Sequence, residues 1–376
     1  MADVDVVATE EGLAALSEEW RALWRRSPTA RFSDSFEWHW NAWTLTDRGR
    51  TSRPLVAVVR TGGRVVLLLP MRVDRGFGLR RGRWLGSLVA FYEDVLGAPT
   101  EAHRQSLIAA WEALQAETRL DYAVFENVRE GSPLSQLLYE AGGFTDRRPI
   151  YSVEWEQWAD WEDYWQSRRR RLLRDQSRQW GRLEALGTVE FSGRVGGDDV
   201  SRHLEWIIEQ KLDWMKRGGK RSGWFGERIA PFLRASVDDA NRLGRLYVGM
   251  LSVDGETIAG EVGFADPGAV VAAVTTYAEP WKPYSPGRLL DERSIRWSLE
   301  HGYPAYDFLT ATSEAEASHK SLWAEPHAWA SAHVIPFTGS GRAYVGWFSS
   351  GVRSRVRRAY TQLPVMRRRL RGHVSR

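Results

Sequence analysis

The feature that most constrains the fold is an internal repeat. Residues 55–73 read LVAVVRTGGRVVLLLPMRV and residues 246–264 read LYVGMLSVDGETIAGEVGF, two apolar runs with glycine at the turn. Each predicted hairpin is followed by a further strand (residues 84–96 in the first copy), a helix and a related strand. That last strand reads LDYAVFENV at 120–128 and YPAYDFLTA at 303–311. A repeat of this length indicates two copies of one α/β unit.

Length and composition fit two such units. The chain has 376 residues, 43% of them apolar and none of them cysteine. This length favours two domains of ordinary size, and the absence of cysteine excludes disulfides, thiolate metal ligands and a cysteine nucleophile. We predict an α/β (α+β) chain with a mixed sheet, in two tandem domains at 1–150 and 151–340. The N-terminus lacks the basic and apolar regions of a signal peptide, and no apolar run approaches the ~20 residues of a membrane span, which predicts a cytoplasmic protein.

Positive charge is concentrated in a third segment, residues 341–376. It contains ten arginines and no acidic residue, so the rest of the chain carries 42 basic against 48 acidic residues. Its apolar residues mostly follow helical steps, which predicts a basic amphipathic C-terminal helix. Such a helix is typical of proteins that lie on an anionic membrane. A nucleic-acid arm and a helix that covers a domain are alternatives, but the apolar positions favour lipid, so we expect no nucleic-acid partner.

A helix start in the second repeat is a candidate anion site. The strand at 270–277 is followed by a loop and by the sequence Ser285-Pro-Gly287-Arg288. In the triplet Ser-Pro-Gly, serine suits the helix cap, proline suits the first helical position and glycine is flexible. A helix start offers unpaired N–H groups and a positive dipole end, which suit phosphate. We therefore predict that Ser285, Gly287 and Arg288 bind the donor, although the same triplet is also an ordinary helix start.

Several short motifs along the chain carry a family resemblance. They are Phe36-Glu-Trp38 with Trp43, Pro70-Met-Arg72, Trp84-Leu-Gly86, Tyr92-Glu-Asp94, the basic start at 167–174, Ile258-Ala-Gly260, Tyr277, Ser285-Pro-Gly287, Asp307-Phe-Leu309, and His319-Lys320 with Trp323. With the doubled order of meander, helix, strand and helix, they resemble the tandem GNAT fold of the FemAB-like and CelD-like acyltransferases. The resemblance runs from about Phe32 to Val334. The spaced-glycine phosphate loop of single-domain GNAT enzymes is absent. Two positions depart from the family: the family often has a glycine near Thr310, and it usually has a tyrosine where this chain has His319.

The resemblance implies transfer of an acyl group, usually from a thioester, to an amine or hydroxyl. The donor would be acyl-CoA or an acyl carrier protein thioester, and no metal is implied. Such a reaction needs a base for the amine, stabilisation of the oxyanion and an aligned thioester. Tyr277 could protonate the leaving thiolate, and Lys320 could bind phosphate or offset the oxyanion. The candidate bases are Asp307, His319, Glu261 and Asp94; for each of these side chains a structural role is the alternative.

Three functions remain open from the sequence. The first is transfer of a fatty acyl group to the amine of a lipidic long-chain base at the cytoplasmic membrane face, as in a bacterial ceramide synthase of sphingolipid biosynthesis. The basic tail and the twenty tryptophans favour this function. The second is an acetyl-CoA-dependent acetyltransferase for a polysaccharide or small amine. The third is a non-enzymatic basic protein that binds membrane or nucleic acid. The phosphate-type helix start favours the second repeat as the donor site.

Overall fold

The computed structural model describes residues 3–49, 51–76, 78–97, 101–219, 223 and 225–349. Its strands are β1 Asp3–Val7, β2 Arg53–Thr61, β3 Arg64–Gly76, β4 Leu79–Trp84, β5 Leu96–Gly97, β6 Tyr122–Arg129, β7 Phe144–Glu154, β8 Val189–Val195, β9 Leu246–Val253, β10 Glu256–Asp266, β11 Ala269–Tyr277, β12 Ala305–Thr310 and β13 Ala328–Pro336. Its α-helices are α1 Glu10–Ala15, α2 Ser17–Arg26, α3 Phe36–Ala42, α4 Glu101–Thr118, α5 Pro133–Ala141, α6 Trp161–Ser167, α7 Arg170–Glu184, α8 Val200–Arg217, α9 Ala230–Arg242, α10 Pro286–Glu300, α11 Glu314–Lys320 and α12 Gly339–Ser349.

The described strands form one mixed sheet, in the order β1-β2-β3-β4-β6-β13-β7-β12-β11-β10-β9-β8, with β5 beside β3. Each half contains an antiparallel meander, β1 to β4 or β8 to β11, and then one parallel pair, β4 with β6 or β11 with β12. The two halves therefore repeat the same strand order outward from the centre. This arrangement confirms the predicted mixed α/β fold and its internal repeat.

The two predicted hairpins are present. β2 and β3 turn at Gly62 and Gly63, and β9 and β10 turn at Asp254 and Gly255, with positive φ at all four residues. Two consecutive left-handed residues are what a two-residue hairpin turn requires, which explains the glycine in each turn.

Strands β7 and β13 join the halves at the centre of the sheet. β7 pairs with β12 and with β13, and β13 pairs with β6 of the first half. The strand that completes the first half therefore comes from residues 328–336, within the predicted second domain. The predicted boundary at residue 150 lies inside β7.

In the second half, helices cover both faces of the sheet. Leu289 and Leu290 of α10 pack with Leu183 of α7 and Leu251 of β9 on one face. On the other face α8 and α9 pack against residues of β9 and β10. No helix among the described residues is long and apolar enough to cross a bilayer. The predicted helix at 341–376 overlaps α12, but beyond Ser349 it lies outside the described residues.

Candidate active site

The parallel strands β11 and β12 separate after a short paired stretch. Their register contains two pairs, Val270 with Tyr306 and Val271 with Asp307. Beyond these pairs β11 continues to Tyr277 and β12 to Thr310. Helix α10 follows β11, and α11 follows β12. The carboxyl ends of two parallel strands and the starts of the helices that follow them thus border one gap, the usual position of a ligand site in α/β sheets.

The start of α10 lies at one side of this gap. Ser285 precedes the helix in a left-handed conformation and makes no side-chain cap. Pro286 has no N–H, and the Arg288 N–H donates to the Ser285 carbonyl, so the Gly287 N–H is the helix-start donor left for a ligand. The Arg288 guanidinium donates to Ser285 Oγ at 3.0 Å. A Cβ on Gly287 would lie 3.5 Å from the Tyr277 ring. The structure therefore brings Tyr277, Ser285, Gly287 and Arg288 together.

His319 of α11 contacts a buried carboxylate of α10. Its Nε2 lies 2.7 Å from Asp291 Oδ2, which also accepts the Trp323 indole N–H at 3.2 Å. Burial alone would lower the pKa of His319, but the Asp291 carboxylate outweighs it and raises this pKa above the ordinary 6.5, against a small opposing effect of nearby Arg288. His319 is therefore an imidazolium over a wider pH range than a free histidine, and it lies on the Arg288 side of the gap.

Lys320 connects α11 to the end of β12. Its Nζ donates to the Thr310 carbonyl at 2.8 Å and lies 2.7 Å from the Glu316 carboxylate. The side chain is mostly buried. The Thr310 carbonyl and the Glu316 carboxylate thus already bind the Lys320 ammonium group. A contact of Lys320 with phosphate or an oxyanion stays a prediction.

Asp307 lies at the point where β11 and β12 part. Its carboxylate accepts a hydrogen bond from the Tyr92 hydroxyl at 3.0 Å and from the Leu309 N–H at 2.7 Å. Asp307 is 3% exposed and Tyr92 is 2% exposed. Leu309 has φ +65°, a strained conformation for leucine that aims its N–H at Asp307. The backbone at this site is shaped around one carboxylate.

Tyr92 is held between two guanidinium groups. Arg31 and Arg129 lie 5.0 and 4.9 Å from its ring centre. Burial, together with the charge of Asp307, raises the pKa of Tyr92 well above its ordinary value of 10. The hydroxyl therefore remains a hydrogen-bond donor to Asp307 across the physiological pH range.

Asp94 belongs to the same buried polar group. Burial raises its pKa to about 6, and Asp34 also raises it while Arg31 opposes the shift. Burial raises the pKa of Asp266 to about 7, and its carboxylate accepts the Phe32 N–H at 2.8 Å. The charges of both Asp266 and Asp307 act on Arg31. The structure thus brings the predicted residues Asp94 and Asp307 together around Arg31.

Glu261 lies on the other face of the sheet. Tyr306 donates to its Oε1 at 2.5 Å, and Tyr306 precedes Asp307 in β12, so their side chains point to opposite faces. Glu261 is fully buried, and burial raises its pKa to about 8. A protonated carboxyl between the sheet and α10 does not join Asp307, and a catalytic role for Glu261 stays a prediction without a geometric argument.

Sequence reasoning missed several contributors to this group, among them Tyr92 and Arg31. Tyr92 belongs to the Tyr92-Glu-Asp94 motif, so the sequence did point to this segment. Only Asp94 was selected as a candidate, because carboxylates are the usual bases. Arg31 lies in no recognisable pattern. It reaches the site because the segment before α3 packs against the second half, where Phe32 stacks on Phe264 with ring centres 4.9 Å apart.

An apolar cavity of about 310 Å³ lies between the halves, beside β11. Its walls come from the first half, from β11 and from the segment around α9: Trp38, Leu88, Val89, Ala90, Phe91, Phe225, Ile229, Phe232, Leu233, Ala273 and Val274. Phe91 is adjacent to Tyr92, and Ala273 is two residues beyond Val271, the partner of Asp307. Sequence neighbours of Tyr92 and of Val271 thus line the cavity, whereas Tyr92 and Asp307 themselves do not. A larger cavity of about 430 Å³ near Arg53 and Glu117 contains none of the predicted site residues.

The corresponding gap of the first half is closed by the chain itself. β4 and β6 pair as far as Arg83 and Val124. Directly beyond, the Glu93 N–H donates to the Asn127 carbonyl at 2.9 Å, and the Glu93 carboxylate accepts the Glu126 N–H at 2.8 Å. The segment that contains Glu93 takes up these groups of β6, so the first half has no comparable opening there.

No group of three or more His, Asp or Glu side chains in the described part of the chain could hold a metal ion.

Residues 167–321, less than half of the chain, match the family model described as acetyltransferase (GNAT) domain. No curated protein matches the chain.

Solved structures of similar fold cover most of the chain. FemX has a TM-score of 0.57 at 10% identity, over 84% of this chain and 95% of its own. The C-terminal domain of a protein assigned as lysylphosphatidylglycerol synthetase from Agrobacterium fabrum has a TM-score of 0.55 at 13% identity, over 90% of this chain and 97% of its own. L-PGS from Bacillus licheniformis has a TM-score of 0.53 at 12% identity, over 88% and 94%. At such identities the likeness shows the fold alone. The match at 167–321 makes this protein an N-acyltransferase whose second half carries a GNAT domain.

Proposed function

We propose that this protein transfers a long acyl chain from a thioester to the amine of a lipidic long-chain base, the reaction of a bacterial ceramide synthase. The observation that carries this proposal is the apolar cavity between the halves, whose wall includes Phe91, the sequence neighbour of the Tyr92 that donates to Asp307. A pocket of about this size with apolar walls and a few polar groups at one end is typical of small-molecule sites. An acceptor with an apolar tail and one amine fits such a pocket better than a sugar does.

The donor would enter from the other side of the sheet gap. Its phosphate would contact the Gly287 N–H and Arg288, and the thioester would lie between β11 and β12. Tyr277, which packs against Gly287, would border this path. The two substrates would thus meet where the strands separate, with the donor bound by the second half and the acceptor by walls from both halves.

The reaction then needs two proton transfers. The acceptor nitrogen attacks the thioester carbonyl, and Asp307 takes the proton that this nitrogen loses as the C–N bond forms. When the C–S bond breaks, the leaving sulfur takes a proton from the His319 imidazolium, whose raised pKa keeps the acid form available. Tyr92 fixes the Asp307 carboxylate, and Asp291 fixes the His319 ring.

Docking at the inner membrane face is part of this proposal. An acceptor with a long apolar chain resides in a bilayer, and the arginine-rich sequence 341–376 suits an anionic surface. Attachment through this segment stays a prediction, because most of it lies outside the described residues. The same holds for a cytoplasmic location.

A second candidate is transfer of an acetyl group to a polysaccharide or small amine. The family model that matches residues 167–321 is that of an acetyltransferase domain, which favours a short acyl group. The cavity distinguishes the two functions, because an acetyl donor and a polar acceptor would leave its apolar walls unused.

The test measures free thiol release from palmitoyl-CoA and from acetyl-CoA, each with a sphingoid base or an amino sugar, and identifies the products by mass spectrometry. We expect turnover of palmitoyl-CoA with the sphingoid base. Turnover of acetyl-CoA alone would support the second candidate. If neither these thioesters nor a carrier-protein thioester is turned over or bound, both enzymatic proposals fail.

A further inference from the structure

Helix α7 presents a row of arginines to solvent. Arg170, Arg174, Arg178 and Arg182 follow each other at steps of four residues, and all four are exposed. Residues four apart lie on one side of a helix, so these side chains form one ridge. At 1.5 Å per residue the ridge is about 18 Å long. Its inward-facing neighbours, Leu172 and Leu183, are buried, so the helix keeps its place whatever the ridge binds.

This ridge runs past the start of α10. The Gln176 side chain donates to the Arg288 carbonyl at 3.0 Å. At the end of the ridge, Arg182 donates to the Pro283 carbonyl at 2.9 Å and lies 4.5 Å from the Tyr284 ring centre. One end of the ridge, at Arg182, is therefore adjacent to the loop before α10, where we position the donor phosphate.

The positive charge of the ridge is poorly compensated. Asp175 lies 3.2 Å from Arg178 and 4.0 Å from Arg171, and it is the single carboxylate that α7 offers to them. Among the described residues, Arg170 and Arg174 have no carboxylate within ion-pair distance. Such a row of cations attracts an anionic partner over distances of about a Debye length.

We propose that this ridge docks an acidic acyl carrier protein, which delivers the acyl chain as a phosphopantetheine thioester. The inference rests on the proposed function, because it names the partner of the same donor site. The single phosphate of the arm would lie at Gly287 and Arg288, while an acidic helix of the carrier would lie along the arginines. Free CoA would need the helix start but not the distant end of an 18 Å ridge.

The ridge fits a protein better than a lipid surface. A helix that binds in a bilayer interface turns apolar side chains toward the lipid. Here the exposed ridge is arginine throughout, and the apolar residues Leu172 and Leu183 face the protein interior. Charge complementarity is therefore the interaction that this surface offers, and carrier proteins with acidic helices supply the matching charge.

The test compares two variants with equal charge change. Arg170→Glu/Arg174→Glu reverses the ridge, and Arg25→Glu/Arg64→Glu reverses two exposed arginines of the first half. Binding of palmitoyl-loaded carrier protein is measured directly, at low and high salt. Thiol release is measured with the carrier thioester, with palmitoyl-CoA and with palmitoyl-pantetheine. Arg170→Gln/Arg174→Gln is the milder variant if the reversal impairs folding.

We expect the ridge variant to weaken carrier binding and kcat/KM for the carrier thioester by about 10- to 100-fold, with palmitoyl-pantetheine turned over as by the wild type. The first-half variant should change none of these. Wild-type protein that does not bind the carrier would overturn the inference, even if palmitoyl-CoA is a good donor and the proposed function holds. An equal loss with palmitoyl-CoA would assign the ridge to CoA phosphates instead. A larger loss of binding to transfer RNA or to anionic vesicles than to the carrier would also overturn it.

Discussion

The two halves of the sheet treat the same structural position in opposite ways. In each half, a parallel pair of strands separates after a last residue pair, Arg83 with Val124 in the first half and Val271 with Asp307 in the second. The valine of the first half thus corresponds to the carboxylate of the second. In the first half Glu93 then takes up backbone groups of β6, whereas in the second the strands stay apart beside a helix start.

The difference shows how a duplicated unit can divide the work of a two-substrate enzyme. The connection after β4 comprises residues 85–100, while the connection after β11 comprises only residues 278–285. The longer connection closes its own gap through Glu93, lines the apolar cavity through Phe91 and binds Asp307 through Tyr92. The first half thus lacks such a gap and provides a wall of the proposed acceptor site.

Replacing the carboxylate that distinguishes the two gaps should have the largest effect. Asp307→Asn keeps an acceptor for the Tyr92 hydroxyl but removes the base, so we expect kcat for thiol release to fall about 100-fold or more. The control is Asp146→Asn, which removes an exposed carboxylate of β7 near Arg148. A rate within a few-fold of wild type for Asp307→Asn would exclude Asp307 as the base.

The helix start beside the open gap should be the next most sensitive point. Arg288→Glu places a negative charge where we expect donor phosphate, which should raise KM for palmitoyl-CoA about 10- to 100-fold with a smaller change in kcat. Arg296→Glu makes the same change two turns further along α10, at an exposed pair with Glu300. If both variants raise KM equally, the helix start is not the phosphate site.

Filling the cavity tests the role of the first half as an acceptor wall. Ala273→Phe extends a ring from β11 toward Phe91 and reduces the apolar space. We expect KM for a long-chain base to rise about tenfold, because the tail loses buried apolar area, while a short amine reacts as before. An equal effect on both amines would indicate that the tail binds elsewhere, and a thermal melt checks that the fold is intact.

The acid side of the mechanism predicts a shift in pH dependence. His319 must be protonated to donate to the leaving sulfur, so activity should fall as pH rises through its raised pKa. Asp291→Asn removes the charge that raises this pKa, so the alkaline limb should move to lower pH, with a loss of a few-fold at pH 8 and little change at pH 6. The control is Glu154→Gln, which affects His327 at an equivalent distance of 2.7 Å outside the gap. An unmoved limb in Asp291→Asn would remove His319 from the mechanism.

The sequence predicted the regular parts of this comparison and missed the irregular ones. Alternating apolar residues and glycine turns revealed both hairpins, and the repeat predicted the mixed sheet. Residues 84–96, expected as a strand, form turns at 85–89 and an irregular segment at 90–95 between β4 and β5, so this prediction was wrong. The local pattern of apolar and aromatic residues is compatible with a strand, but partners distant in sequence, at Asn127 and Asp307, fix the conformation of this segment.

For the site, the sequence indicated which residue types were present but not their faces or partners. Asp307 and Asp94 come together because two connections meet at Arg31, which no spacing rule encodes. Glu261 was a candidate base beside Asp307, and only the structure shows that Tyr306, which binds Glu261, and Asp307 point to opposite faces of β12. His319 was selected for its titration range. Its partner Asp291 lies in the preceding helix, 28 residues earlier in the sequence, and the two side chains meet only because α11 packs on α10.

The closed gap can be tested through the titration of Glu93, where the smallest effect on activity is expected. Burial, together with the charge of Glu126, raises the pKa of Glu93 to about 8, compared with 4.5 for a free glutamate. The folded state therefore binds more protons than the unfolded state between pH 4.5 and 8, so the free energy of unfolding should fall as pH rises through this window.

Glu93→Gln keeps an oxygen for the Glu126 N–H and cannot ionise. We expect the free energy of unfolding of this variant to equal that of wild type at pH 5 and to exceed it by on the order of 3–4 kcal/mol at pH 8 in urea unfolding, with thiol release within twofold. Glu190→Gln on exposed β8 should show no such difference. If the two pH values give the same difference for Glu93→Gln, Glu93 is not the buried, protonated closure of the first-half gap.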